Sequence, residues 1–408
     1  MALRLPKAKP SMSGGACIIL PIAAPGPRDW SGPPPRSPRR ILPPRAICGS
    51  AIDPAMADDV RNSLVLITRK WQPAIGGMET WSMRMAEALG SFAAVEVIAL
   101  PGRRNGMPPH AASLLAFPFT VLARLLSLRQ APKAALLGDM AIWPLALPAR
   151  LRGIRRIAIA AHGTDVSYHR RGGIRGKLYG AYLRLGSRML GSATVIANSR
   201  ATAEVLNETG WHDAHVVPLA TDITAPPPDG RHNGRLLFAG RLIERKGCGW
   251  FIREVLPLLP ESIGLDIAGT GWSTAERALL NHPRVRFLGP LHGDALVRAY
   301  REALAVVVPN IPVENGEFEG FGLIAPEAAA AGGMVLAADC DGLRDAVIDG
   351  VTGHLLPSAD AACWMNAIMA ADGTPPGIRA KRLAGFQGEA SRFFDWQRAA
   401  RQTLTAIA

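Results

Sequence analysis

The chain has 408 residues, 48% hydrophobic and 19% charged, a size and balance suited to two α/β domains and not to a wholly disordered chain. Five cysteines without paired spacing exclude a disulfide framework and a cysteine zinc site, and no uninterrupted apolar run approaches the ~18–20 residues of a membrane span. The net charge of +13 is uneven: eight basic residues face two acidic ones in 1–55, twenty face eleven in 56–222, and eighteen face twenty in 223–408. Positive charge therefore belongs to the first half, as suits contact with an anionic surface. No nucleic-acid motif accompanies it, and nucleic acid is not expected as a partner.

Residues 1–55 hold twelve of the 34 prolines. Proline at that density fixes φ and removes amide donors, so a disordered basic head is expected, with Met56 as the start of the folded protein. The short apolar run Ala16–Ala24 with Arg4, Lys7 and Lys9 upstream has a faint look of a signal peptide, but a cytosolic protein is the expectation adopted.

From Met56 the chain alternates. Strands are expected at Ser63–Thr68, Val95–Leu100, Ala134–Leu137, Ile157–Ala161 and Thr194–Ala197, with a glycine turn and the helical stretch Thr80–Leu89 after the first. Residues 56–222 thus read as one Rossmann-like domain, 223–234 as a Pro/Gly/Asp linker, and 235–389 as a second domain. The second has strands at Arg235–Ala239, Gly264–Ala268, Val285–Leu288, Ala305–Val308 and Met334–Ala338. Residues 390–408 are expected to be helical and to pack back on the first domain. Short apolar strands alternating with helices indicate parallel doubly wound sheets, whose ligands lie at the carboxyl ends of the strands. The expected fold class is α/β, two Rossmann-like doubly wound domains facing across a cleft.

The candidate chemistry sits at those strand ends. In Glu319–Glu327 (EGFGLIAPE), glycines precede a helix former run; a glycine turn would bring Glu319 toward the helix start, where free amides can receive phosphate oxygens and carboxylates can accept from sugar hydroxyls. A plain helix entry with two solvated glutamates explains the segment as well when it is taken alone. Gly240–Gly247 (GRLIERKG) follows the first strand of the second domain. Arg241 and Lys246 could converge on a diphosphate, with Arg245 the member expected to face solvent. The paired glycines Gly76 and Gly77 would allow close backbone approach, and His162 closes the strand Ile157–Ala161. A plain turn and a structural histidine are the ordinary alternatives.

These segments in this order resemble the family 4 retaining glycosyltransferases (glycosyl transferases group 1) of the GT-B fold, over roughly residues 62–390. The markers are GGxE at Gly76–Glu79, HGTD at His162–Asp165, VIANSRAT at Val195–Thr202, VVPLATD at Val216–Asp222 and GRLIERKG at Gly240–Gly247. Ala268–Gly271 (AGTG) and ExFGLxxxEA at Glu319–Ala328 complete them. The resemblance implies that Arg241 and Lys246 neutralise the donor diphosphate and that Glu319 binds donor-sugar hydroxyls, with the amides of Phe321, Gly322 and Leu323 nearby. It further implies that Glu327 holds the ribose, that Gly77 approaches the phosphates, and that His162 lies beside the donor sugar or the acceptor hydroxyl. The implied activity is retaining transfer from a nucleotide-sugar to a glycan or lipid-linked acceptor in cell-surface polysaccharide or glycolipid synthesis. It would need no cofactor and no metal, the nucleotide-sugar being a co-substrate. The alternatives are a nucleotide-sugar epimerase of the same fold and a non-catalytic nucleotide-sugar-binding subunit. Asp339-Cys340-Asp341 fits the Asp-x-Asp metal pattern only formally, and the chain departs from the family at Gly332-Gly333-Met334, at Asp341–Asp345 and at Leu219-Ala220.

Basic residues gather around HGTD: Arg150, Arg152, Arg155, Arg156, Arg170, Arg171, Arg175, Lys177, Arg184 and Arg188. They are read as a surface docking on anionic lipid, which makes the expected location cytoplasmic and peripheral on the membrane's cytoplasmic face.

Overall fold

A computed structural model describes residues 63–74, 76–271, 278–314 and 316–408, so the proline-rich head and Met56 lie outside the described residues. All described residues belong to one compact unit, Gly49–Ala408.

The first six strands are β1 (Leu64–Trp71), β2 (Val95–Pro101), β3 (Ala134–Leu137), β4 (Arg156–Ala161), β5 (Thr194–Ala197) and β6 (His215–Val216). They form a sheet of order β2-β1-β3-β4-β5-β6, parallel at every pairing. The second set is β7 (Arg235–Ala239), β8 (Gly264–Ala268), β9 (Val285–Gly289), β10 (Val306–Val308), β11 (Val335–Ala338) and β12 (His354–Leu356). Their order is β12-β11-β10-β7-β8-β9, again all parallel.

Strands covered on both faces run apolar over most of their length, as Leu64–Ile67 of β1 and the whole of β3 and β10 do. Leu64 and Leu66 of β1 join one core cluster while Val65 and Ile67 join the other, so each face of the first sheet has its own core. The cluster with Leu64 runs on through the whole second domain and into the last helix. That helix, Trp396–Ile407, lies against helix Gly77–Gly90 of the first domain. Arg398 donates to the Pro218 carbonyl at 2.7 Å, and Gln397 to Ser91 at 3.3 Å. The helix before it, Pro376–Phe393, stays with the second domain, where buried Arg379 donates to the Leu304 carbonyl at 2.7 Å. The segment after β6 has no regular structure and is pinned by side chains, with Gln387 donating to the Ala225 carbonyl at 2.9 Å. Among the described residues no helix is long and apolar enough to cross a membrane.

Candidate active site at the carboxyl ends of the two sheets

The two domains touch where glycine removes the side chain from both. A Cβ on Gly320 would stand 2.2 Å from the His162 carbonyl oxygen, and one on Gly163 would stand 3.0 Å from the Gly320 Cα. Gly163 also has φ +128, a conformation L side chains rarely adopt. The loop after β4 and the loop entering helix Ile324–Ala330 therefore meet backbone to backbone. Thr202 adds a bond from its hydroxyl to the Gly320 carbonyl at 3.3 Å. Farther out, the Arg200 amide and guanidinium both bond the Asp345 carboxylate at 2.8 Å, and Arg171 pairs with Glu317 at 3.0 Å.

Glu319 is the centre of the second-domain side of this contact. Three donors converge on its Oε2: Lys246 Nζ at 2.5 Å, Arg245 Nη1 at 2.7 Å and Asn310 Nδ2 at 3.0 Å. Its backbone is held by the loop after β11, the amide donating to Asp341 Oδ2 at 3.0 Å and the carbonyl accepting from Gly342 at 2.9 Å. A Cβ on Gly342 would stand 2.3 Å from the Gly320 carbonyl oxygen, so this clasp requires glycine. Burial alone would raise the Glu319 carboxyl, but the charges of Lys246 and Arg245, with hydrogen bonds from Lys246 and Asn310, outweigh it and hold the group at about 2. The site thus keeps a buried carboxylate locked in its charged form.

Arg245 corrects the sequence reading. It was expected to face solvent, and instead it is buried beside Lys246. The tight turn Glu244–Lys246 swings both cations inward to the same carboxylate, and the Arg245 carbonyl accepts from the Ile311 amide at 3.1 Å. Of the three cations in the loop, Arg241 is the exposed one. It follows Gly240, whose Cβ would come 3.2 Å from Ile324 Cδ1, so the loop after β7 lies directly against the start of helix Ile324–Ala330.

Glu327 sits in that helix, where its Oε2 accepts from the Tyr300 hydroxyl at 3.2 Å. Burial raises its carboxyl to about 7, the Tyr300 hydrogen bond opposing the shift and Asp222 adding to it. Phe321 and Gly322 are buried, with Gly322 at φ +93, and Leu323 is half-buried. Leu323 reaches the first domain, its Cδ1 lying 3.8 Å from where a Gly77 Cβ would be. On the first-domain side, His162 bonds through Nε2 to the Gly138 carbonyl at 2.9 Å and sets its ring edge-on to Trp81 at 4.6 Å. The Asp165 carboxylate caps the His162 and Gly163 amides, each at 2.9 Å.

Lys246 and Glu319 are thus in direct contact. Phe321, Gly322, Leu323 and Gly77 line the junction, and His162 abuts it through its backbone. Two participants are absent from the sequence reading, Asn310 just beyond β10 and Tyr300, and a third, Asp341, enters it only as part of the formal Asp-x-Asp pattern and as a departure from the family. Asp339 pairs with Arg344 at 2.7 Å and Asp341 is turned to the Glu319 amide, so the two aspartates of the Asp-x-Asp pattern serve the loop. No group of three or more acidic, His or Cys side chains spaced for a metal occurs among the described residues.

Residues 233–371 match the family described as Glycosyl transferases group 1. A D-inositol 3-phosphate glycosyltransferase of Xylanimonas cellulosilytica is 34% identical over 249 residues, 53% of this chain and 57% of the relative. A phosphatidyl-myo-inositol mannosyltransferase of Mycobacterium leprae is 33% identical over 177 residues, 41% of this chain and 45% of the relative. The chain spans about half the length of the curated relatives it matches. Among solved structures, the Anabaena protein HepE in complex with UDP and glucose superposes with a TM-score of 0.61 at 18% identity, covering 84% of this chain and 98% of the other. At that identity the likeness speaks for the fold alone, which is GT-B: two parallel α/β domains.

Proposed function

We propose, on the match of residues 233–371 to the glycosyl transferases group 1, that the chain is a retaining, metal-independent glycosyltransferase. It moves a sugar from a nucleotide-diphosphate donor to a glycan or lipid-linked acceptor at the cytoplasmic face of a membrane, in cell-surface polysaccharide or glycolipid synthesis. The observation that carries this reading is the buried cluster of Lys246, Arg245 and Asn310 on Glu319 at the meeting point of the two sheets. Two cations beside a carboxylate, at strand carboxyl ends, suit a substrate that carries a diphosphate and sugar hydroxyls together.

Arg241, exposed on the loop that carries Lys246, and Lys246 itself take the departing diphosphate. With Oε2 of Glu319 occupied by three donors, Oε1 is the atom that accepts from a sugar hydroxyl. The amides of Phe321, Gly322 and Leu323 face the phosphates, and Gly77 leaves room for them from the other side. Glu327 holds the ribose. His162 lies beside the donor sugar or the acceptor hydroxyl. The acceptor oxygen bonds to the anomeric carbon on the face from which the diphosphate leaves, and the departing phosphate oxygen receives the acceptor proton. Fixed charges aimed at the leaving group lower the barrier without reorganising during the reaction. The nucleotide-sugar is a co-substrate, and no cofactor enters the scheme.

The test is a turnover assay against a panel of UDP-, GDP- and ADP-sugars, following nucleoside diphosphate release with and without chelator. One donor class should turn over and chelator should change little; failure of every donor, or abolition by chelator, would remove the reading.

Glu327 gives it a pH signature. Because burial raises its carboxyl to about 7, lowering the pH through that value protonates the group that must accept from the ribose hydroxyls. The donor's apparent KM should rise as pH falls below about 7, and Glu327→Gln should show a raised KM that no longer varies over that window. A flat wild-type profile from the weakly acid to the weakly alkaline range would remove Glu327 from donor binding.

A further inference from the structure

Helix Gly173–Met189 contains no acidic residue. Its inner side is made close by glycine, a Cβ on Gly186 standing 2.9 Å from the rings of Trp143 and Trp211. On its outer side Ile174, Leu178, Leu185 and Met189 are exposed, Ile174 at 78%. At 100° per residue these four fall within an arc of about 60°. Arg175 borders the stripe on one side, and Lys177, Arg184 and Arg188 border it on the other; all four are exposed.

A second stripe repeats the spacing on helix Ala111–Ser127, where Leu115 is 77% and Phe119 75% exposed and Leu126 follows them. The stripes meet at one edge. Arg150 donates to the Met189 carbonyl and to Ser192, and Arg152 to the carbonyls of Leu125 and Leu128. Leu151, between these two arginines in the chain, is 84% exposed. Both helices belong to crossovers that run the same way along the sheet, from β2 to β3 and from β4 to β5, and right-handed crossovers put them on one face.

We propose that this two-helix face is the surface by which the protein enters an anionic lipid leaflet, with the apolar stripes among the acyl chains and Arg175, Lys177, Arg184 and Arg188 at the headgroup phosphates. The inference rests on the membrane-side reading above and changes its chemistry. Arg170 is already paired with Glu208 and Arg171 with Glu317, while Arg150 and Arg152 are spent on carbonyls. Docking therefore depends on burying apolar side chains as much as on charge. An apolar stripe bordered by long cations, without acids, is the pattern of a helix lying in the interface plane. Charge argues against the other occupants. Residues 1–55, with eight basic and two acidic residues, would bring like charge to this face, and so would a second copy of it. The helix begins close to the reacting site: Arg170, three residues before it, is so near Gly316 that a Cβ there would lie 2.7 Å from Arg170 Cβ. An acceptor hydroxyl carried at the leaflet surface would thus arrive at the mouth of the cleft.

The test is co-sedimentation of the full chain with phosphatidylcholine vesicles, with and without phosphatidylglycerol, at low and high salt. Wild type should bind the anionic vesicles and keep a measurable part of that binding at high salt. Ile174→Ser with Leu178→Ser, and separately Leu115→Ser with Phe119→Ser, should each lower the partition by roughly tenfold or more. Arg175→Ser with Lys177→Ser should lower it by roughly tenfold to thirtyfold, and only on the anionic vesicles. Thermal unfolding and nucleoside diphosphate release with a soluble acceptor should stay near wild type in all three, as all six positions are exposed. Wild-type indifference to both vesicles at low salt, binding unaltered in both apolar variants, or an oligomer that the apolar variants dissolve would overturn the proposal. Vesicle binding is read without donor, so its failure leaves the transferase reading standing, and absence of turnover leaves the docking result standing.

Discussion

Lys246→Ala should lower turnover by about 10²–10³, the usual loss when one preorganised charge contact to a developing anion is removed. The diphosphate gains charge as the glycosidic bond breaks, and Lys246 is a buried cation at the junction of the two domains, 2.5 Å from Glu319. The ammonium is preset by Glu319, so it needs no reordering when the donor binds. Fold stability should suffer less than rate, because Arg245 and Asn310 still satisfy Glu319 Oε2 after the substitution. Arg241→Lys should also be damaging, since an ammonium does not reproduce the planar fork that grips two phosphate oxygens. The check is steady-state kcat and KM for donor with each variant. A loss confined to KM would make the contact one of uniform binding, and near wild-type kcat in both variants would dismiss the leaving-group role.

Glu319→Ala should be the most destructive substitution for the fold and the chemistry together. It leaves Arg245 and Lys246 buried side by side without a counter-charge, a situation that commonly costs about 3–5 kcal/mol. The sign of the pH effect follows from the depressed carboxyl. A group held at about 2 in the folded chain stabilises fully above the ordinary glutamate range and loses that contribution as pH falls from there toward about 2. Wild-type protein should therefore lose stability relative to Glu319→Gln across that acid window, while at neutral pH wild type should be clearly the more stable. Thermal unfolding of both proteins as a function of pH measures this. Equal transitions at neutral pH would show that the cluster contributes nothing net.

The strands were legible because burial on both faces makes their runs mostly apolar: β3, β5, β7 and β8 coincide with the expected runs residue for residue, although β8 carries the buried Asp266, paired with Arg235 and Arg286. β6 and β12, with two and three residues, are too short to make a pattern, and they form because a longer neighbour offers its edge. At the site, the segments were visible and the pairings were not. A run such as Glu244-Arg245-Lys246-Gly247 carries no periodicity from which to say which cation turns inward. That is decided by a single tight turn and by a carboxylate 74 positions away. Asn310 and Tyr300 are ordinary residues in sequence, and they join the site only because β10 and helix Gly293–Glu302 bring them beside Glu319 and Glu327. In the same way a list of arginines around His162 does not reveal that Arg170 and Arg171 already have carboxylate partners. The apolar stripes beside them escape notice because half of a helix's leucines look like core until the helix is seated.

The most direct test of the central claim is transfer itself. Purified chain would be incubated with the donor selected from the nucleotide-sugar panel, its sugar isotopically labelled, with and without a short-chain glycolipid or glycan acceptor. Nucleoside diphosphate and labelled product would be quantified together, and the anomeric configuration of the new bond read by NMR. The account predicts diphosphate release matched by labelled acceptor, with the donor's anomeric configuration kept and with both signals reduced about 10²–10³ by Lys246→Ala. Epimerised donor without transfer, donor bound without turnover, or a product of inverted configuration would contradict it.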